Sequence, residues 1–353
     1  MPPGSPGGIF VGPGRPPGAK VSSFDLMLAN IGWFLAGLAA LIVGAEVMVK
    51  GGSRLAARLG ISPIVVGLTV VSIGTSMPEL AVGVTAAGQG SGALAVGNIA
   101  GTNVVNLFLI LGLSAAMVPL VLQLRTIRLE LPMMAVAALL LFVLAADGVL
   151  TRTDGGILFA GAIVYTVVVI RSAHRESHAV VGEFAQAYTE DAAEEPSGGR
   201  RQTLREAAML VGGIALVVVG AEWLVDGSVG MAREFGVSDA LIGLTVVAIG
   251  TSAPELVTTV MSTLRGDRDI AIGNLVGSSI YNIALILGVT CLVPAHGLEL
   301  PSSLVRIDIP IMVIVALLCI PIFITGRRVS RTEGVLMVTA YLGYLTFLLA
   351  TQS

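Results

Sequence analysis

Two acidic residues stand where acids are expensive. Glu79 closes the motif GTSMPE and Glu255 closes GTSAPE, each inside a stretch dominated by Val, Ile, Leu, Ala and Gly. At the centre of a bilayer an unpaired acid costs at least ~2.5–3.5 kcal/mol on insertion scales. Each Glu follows a proline, Pro78 or Pro254, and each has a glycine one turn earlier, Gly74 or Gly250. Proline has no N–H, so the carbonyl four residues before it, that of Gly74 or Gly250, loses its helical donor. A helix break is therefore expected at both motifs, with the carbonyls of residues 73–75 and 249–251 lacking intrahelical partners. Such carbonyls are tolerated at membrane depth only where protein or a polar cavity satisfies them. One carboxylate, the hydroxyls of Thr75 and Ser76 (or Thr251 and Ser252) and free carbonyls make half a shell of hard oxygen ligands. Two half-shells facing one another would bind a cation. An ordinary kink, with each Glu protonated or tied to a neighbour, is the plain alternative. The recurrence of the acid beside Thr-Ser and Pro speaks against it.

A second repeated motif supplies neutral ligands. GNIAGTNVVN (97–106) and GNLVGSSIYN (273–282) place Thr102 and Asn106, and Ser278 and Asn282, four residues apart, so hydroxyl and amide share one helical face. These groups suit a monovalent ion or the orientation of the carboxylates. Asn98 and Asn274 lie on the same face one turn earlier. For them, and for Asn103 and Ser279, an inter-helix hydrogen bond and ligation remain equally open. Gly97, Gly101, Gly273 and Gly277 suit close helix packing. Glu46 and Glu222 also recur near span ends, as interfacial anchors or as part of an entrance. Glu130 and Asp308 open two spans, where an acid favours the helix N-terminus. His174, His178 and His296 fall in loops and suggest no metal site.

The elements that must hold these residues are membrane spans. Of 353 residues 55% are hydrophobic and 12% charged, with mean hydropathy +0.91; soluble domains carry about 25% charge. A soluble enzyme and a disordered chain are both excluded by that balance. The net charge of −3 offers no basic field for nucleic acid. Cys291 and Cys319 form neither a disulfide framework nor a zinc spacing. Ten apolar stretches lie near 27–49, 61–86, 94–120, 131–146, 155–171, 207–225, 240–264, 270–294, 307–325 and 334–350. A spanning helix needs roughly 17–25 residues. Residues 1–26 read as a disordered Pro/Gly-rich tail, and 172–206 as a polar linker between a first half (27–171) and a second (207–353).

The halves are copies. At an offset of 176 residues, 44–80 and 220–256 are identical at 20 of 37 positions, and 97–113 and 273–289 at 8 of 17. Five spans is an odd number, so the second copy must enter the membrane from the opposite face. The expected fold is all-α and polytopic: ten transmembrane helices as two inverted five-helix repeats, with broken helices at the midplane. Fifteen of the twenty Lys and Arg fall in loops on the side of the 172–206 linker. That bias places the linker in the cytoplasm and both termini outside.

GTSMPEL, GTSAPEL, GNIAGTNVVNLFLILG and GNLVGSSIYNIALILG resemble the two alpha-repeats of the cation/calcium exchanger superfamily, in particular its ten-span prokaryotic sodium/calcium exchangers. The resemblance covers nearly the whole chain from about residue 27. It implies a transporter of the cell (plasma or inner) membrane that exchanges Ca²⁺ for Na⁺ by alternating access. No enzymatic activity, cofactor, nucleic acid or obligate protein partner is implied; the partners are the ions and the lipid bilayer. Carried over by position, Glu79 and Glu255 would be calcium carboxylates, with Thr75 and Thr251 giving backbone carbonyls. Ser76, Ser252, Thr102, Ser278 and the carbonyls of Ser72 and Ala248 would serve sodium, and Asn106 and Asn282 would complete the centre. Some microbial exchangers carry an acid where this chain has Asn282 and a serine where it has Thr102, which leaves the coupling ion and stoichiometry open. The long calcium-sensing loop of animal exchangers is absent. The rival readings are a proton-coupled calcium or cation exchanger and a sodium-coupled solute symporter; the symporter would need solute donors, and no Arg, Lys or His lies in the repeated core.

Overall fold

The computed structural model describes residues 23–59, 63–122, 126–173, 200–235 and 248–352. Most of the expected tail, most of the 172–206 linker with His174 and His178, and the start of the seventh expected span lie outside those residues. Within them the regular structure is helical apart from four two-residue strands. In chain order the first half holds α1 (Ser23–Leu59), α2 (Gly67–Thr75), α3 (Met77–Gly88), α4 (Gly92–Met117), β1 (Leu120–Val121), α5 (Thr126–Leu144), β2 (Val149–Leu150) and α6 (Arg152–Ala173). The second half holds α7 (Arg200–Glu234), α8 (Ala248–Thr251), α9 (Ala253–Leu264), α10 (Arg268–Leu292), β3 (Leu298–Glu299), α11 (Leu304–Arg327), β4 (Arg328–Val329) and α12 (Arg331–Gln352).

Among the described residues seven helices are long and apolar enough to cross a membrane, or eight if the bent pair α2–α3 is one span. The ten expected stretches are all represented by helix. The shortfall arises at α8–α9, whose preceding residues 236–247 are not described, and at α12, which is helical over 22 residues without entering that set. Lipid-facing and interior helices separate by burial. Over their most apolar windows α4 and α10 are 72% and 83% buried, whereas α1 and α7 are 17% and 28% buried. The outer helices turn large apolar side chains such as Val43, Val136, Val143, Ile163, Val211 and Leu336 outward. An apolar exterior is what a hydrocarbon solvent requires.

The packing exchanges elements between halves. The end of α4 (111–117) packs against α12, and its sequence counterpart at the end of α10 (287–292) packs against α6. Strand β1 pairs antiparallel with β4, joining Leu120 to Val329, while β2 pairs with β3, joining Leu150 to Leu298. These two small sheets sit at opposite ends of α5, and sequence-equivalent strands lie at opposite ends of the bundle. Helices α1 and α7 run antiparallel along one another. Their glycines recur every seven residues, at 37, 44 and 51 and at 213, 220 and 227. A Cβ at Gly44 would stand 2.8 Å from the Val217 nitrogen, so the two backbones touch there. A seven-residue seam of small residues is how two long helices stay in register and in close contact.

Candidate ion-binding site

Both predicted breaks occur, and with nearly the same backbone. Ser76 interrupts the first with φ −83° and ψ 9°, and Ser252 the second with φ −84° and ψ 3°. The α2–α3 axis bends by 49°. Pro78 and Pro254 then occupy the first turn of the next helix, where a missing N–H costs nothing. Glu79 and Glu255 fall in that same first turn, at the positive end of the helix dipole.

The centre is assembled across the halves. Helix α2 packs on α10, α9 packs on residues 105–110 of α4, and α3 packs on residues 282–286 of α10. Glu79 and Glu255 are both fully buried, and their charges act on one another. The Ser76 hydroxyl donates to Glu255 Oε1 at 3.5 Å, a first-half hydroxyl on a second-half acid. Thr75 Oγ1 lies 3.2 Å from Asn274 Oδ1 and 3.4 Å from Ser278 Oγ. Asn274 Nδ2 donates to Thr259 Oγ1 at 3.3 Å, so this side chain bridges α2, α9 and α10. Ser72 Oγ donates to the Gly67 carbonyl at 2.6 Å and lies 3.1 Å from that of Asn274. The Ser72 carbonyl accepts from the Ser76 amide at 3.1 Å and stands 3.3 Å from Thr75 Oγ1.

What these bonds leave over is informative. Both carboxylate oxygens of Glu79, Oε2 of Glu255, and both polar atoms of Asn106 and of Asn282 are buried without a hydrogen-bond partner. A buried polar group without a partner costs about 1–3 kcal/mol, and more if charged. Seven such atoms gather on two acids and two amides that stand in sequence-equivalent places in the two halves. Two carboxylates with neutral oxygens about them suit a hard cation. Among the described residues no group of three or more His, Cys, Asp or Glu forms a metal cluster, so a bound ion would draw on hydroxyl, amide and carbonyl oxygens for the rest of its shell.

The other expected ligands are placed as follows. Thr102 is 3% exposed on α4; Thr251 and Ser252 are buried at the second break; Ala248 opens α8. Of the residues left open, Asn274 makes inter-helix bonds, and Asn103 Nδ2 donates to the Ile99 carbonyl within its own helix at 2.9 Å. Glu46 pairs with Lys50 at 2.8 Å and with Arg265 at 2.6 Å, which anchors α1 to the end of α9. Asp308 accepts from the Tyr344 hydroxyl at 3.3 Å. Glu130 is fully buried in a π-helical turn rather than lying at an open helix end. Sequence reasoning did not anticipate the π turns at 105–110 and 282–286. Each contains or begins at its half's buried Asn, and such turns collect at functional sites. Their only sequence signal is the repeated Asn itself.

Known proteins share this sequence pattern and this fold. The profile of the sodium/calcium exchanger protein family matches residues 29–171 and 206–350. A putative antiporter, CaxA, of Alkalimonas amylolytica is 36% identical over 320 residues, covering 90% of this chain and 98% of that protein. The sodium/calcium exchanger MaX1 of Methanosarcina acetivorans is 31% identical, covering 92% of this chain and 99% of its own length. A solved structure of the sodium-calcium exchanger NCX_Mj superposes with a TM-score of 0.78 at 28% identity, over 91% of this chain and 99% of that one. The chain belongs to the sodium/calcium exchanger protein family, as a multi-pass membrane protein of cation antiport.

Proposed function

We propose that the protein exchanges Ca²⁺ for Na⁺ by alternating access, with Glu79 and Glu255 shared by the competing cations. The observation that carries this reading is the pair of fully buried carboxylates with unpartnered oxygens, flanked by Asn106 and Asn282 whose amides are also unpartnered. Together the acids offer −2, which one Ca²⁺ neutralises through hard oxygens. Two Na⁺, or two protons, neutralise the same charge, so the two loads exclude each other. A neutral, loaded site can pass between outward- and inward-open states, while a bare pair of carboxylates in low dielectric cannot. Exchange without leak follows from that asymmetry.

The ligand roles in this reading follow the sequence motifs. Glu79, Glu255 and the carbonyls of Thr75 and Thr251 hold calcium. Ser76, Ser252, Thr102, Ser278 and the carbonyls of Ser72 and Ala248 serve sodium, and Asn106 and Asn282 close the shell. We read the architecture as ten spans in two inverted halves, 27–171 and 207–353, joined by a cytoplasmic linker, with both termini outside, in the cell membrane. The strand pairings between halves at opposite ends of α5 support that inversion. A proton-coupled exchanger is the second reading, favoured by amides at 106 and 282 where a further acid would add charge to the site. Calcium uptake into proteoliposomes decides between them. A sodium gradient is expected to drive uptake; uptake driven by a pH gradient and indifferent to sodium selects the second reading, and uptake with neither gradient contradicts both.

A further inference from the structure

The two halves differ in chemistry where they agree in shape. From Glu255 the face of α9 continues through Thr258, Thr259, Ser262 and Thr263, spaced i+3, i+4, i+7 and i+8, which is one stripe of a helix. All four are buried, at 0–2% exposure. Thr259 accepts from Asn274, but the hydroxyls of Thr258, Ser262 and Thr263 have no hydrogen-bond partner. The stripe ends at Asp267, whose amide donates to the Ser262 carbonyl at 2.8 Å. Asp267 is 6% exposed, and its Oδ1 is also unpartnered. It occupies the N-cap of α10 yet makes no capping bond. Ser114, on the part of α4 that packs against α9, adds another buried hydroxyl without a partner.

The counterparts in the first half are Val82, Gly83, Ala86, Ala87 and Ser91. The turn is the same: the Ser91 amide donates to the Ala86 carbonyl at 2.9 Å, and Gly90 and Gly266 take φ +75° and +85°. Thr290, the counterpart of Ser114, is satisfied by the Ile286 carbonyl at 2.7 Å. So the α3 face is apolar and closed, while the α9 face is polar and unsatisfied. Buried polar groups without protein partners are where ordered water resides.

We propose that this face of α9 is a hydrated cation path joining the central carboxylates to the α9–α10 turn, and that Asp267 at its mouth is a peripheral site for a hydrated divalent cation. Burial, with the neighbouring Asp269 charge, lifts the Asp267 carboxyl to about 7, which is the electrostatic environment a cation would relieve. The proposal rests on the exchanger reading for its cargo, and its test separates the two. Ser262→Cys and Ala86→Cys are compared, in the full chain in vesicles, for reaction with a small cationic methanethiosulfonate reagent. Labelling of Ser262→Cys from the face carrying residues 172–206, at least about tenfold faster than labelling of Ala86→Cys from either face, is expected. No labelling of Ser262→Cys from that face, with or without calcium, overturns the path. This readout needs no transport, so it stands even if wild-type protein moves no calcium. In the flux assay Asp267→Asn should raise the calcium concentration for half-maximal exchange several-fold when calcium is presented at the 172–206 face, and leave it unchanged from the other. An unchanged or two-sided effect overturns the peripheral site. Thr258→Val/Ser262→Ala/Thr263→Ala gives α9 the residues of α3; it should slow exchange several-fold while leaving calcium binding in detergent intact, and an unaltered rate overturns the path.

Discussion

Ser76 stands in one half of the chain and donates to Glu255 in the other, so the smallest unit of the site already spans the repeat. Hydrogen bonds to charged groups contribute about 1.5–3 kcal/mol. Ser76→Ala is therefore expected to weaken sodium binding roughly tenfold, measured as the sodium concentration that half-displaces calcium from detergent-solubilised protein; unchanged sodium affinity would mean that the hydroxyl is incidental. Asn282→Asp adds an acid to a site of two. The bound load must then carry more positive charge, and the sodium-to-calcium coupling ratio, read from reversal gradients in proteoliposomes, is expected to rise. An unaltered ratio would place Asn282 outside the shell. At this scale the sequence was informative because the acids carry their own explanation: a Glu after Pro in an apolar run has few uses. Orphan atoms were not legible. That Asn106 and Asn282 lack partners while Asn274 bridges three helices depends on neighbours tens to hundreds of residues away.

At the scale of elements, Pro78 and Pro254 announced the breaks, and both backbones turn at the serine two residues before. The π turns did not announce themselves. A single extra residue in a helical turn leaves the hydrophobic pattern nearly unchanged, and only hydrogen bonding reveals it. The two-residue strands were equally invisible, because each pairs with a strand in the other half. The α1–α7 seam makes a stronger prediction. Gly44 meets the Val217 backbone closely enough that a Cβ would stand 2.8 Å from its nitrogen. Overpacking a tight contact costs about 1–3 kcal/mol. Gly44→Val should lower the melting temperature in detergent and slow exchange, whereas Gly32→Val, where an added Cβ meets nothing within 4 Å, should do neither. Equal effects at the two positions would contradict a close seam.

Across the whole molecule, a duplicated sequence has kept its shape and divided its chemistry. Matching glycines, breaks and π turns recur in both halves, whereas the stripe beyond Glu255 is polar and that beyond Glu79 is not. The low charged fraction identified the solvent, and the lipid-facing side chains agree with it. The repeat predicted that groups of the two halves would meet, and the Ser76 hydroxyl of the first meets the Glu255 carboxylate of the second. The central claim is that Glu79 and Glu255 together bind the transported cation. Its most direct test is calcium binding and calcium uptake measured on Glu79→Gln and on Glu255→Gln, each verified as folded by its size-exclusion profile. Both variants are predicted to lose saturable calcium binding and sodium-driven uptake, while near-normal binding and uptake in either one would contradict the account.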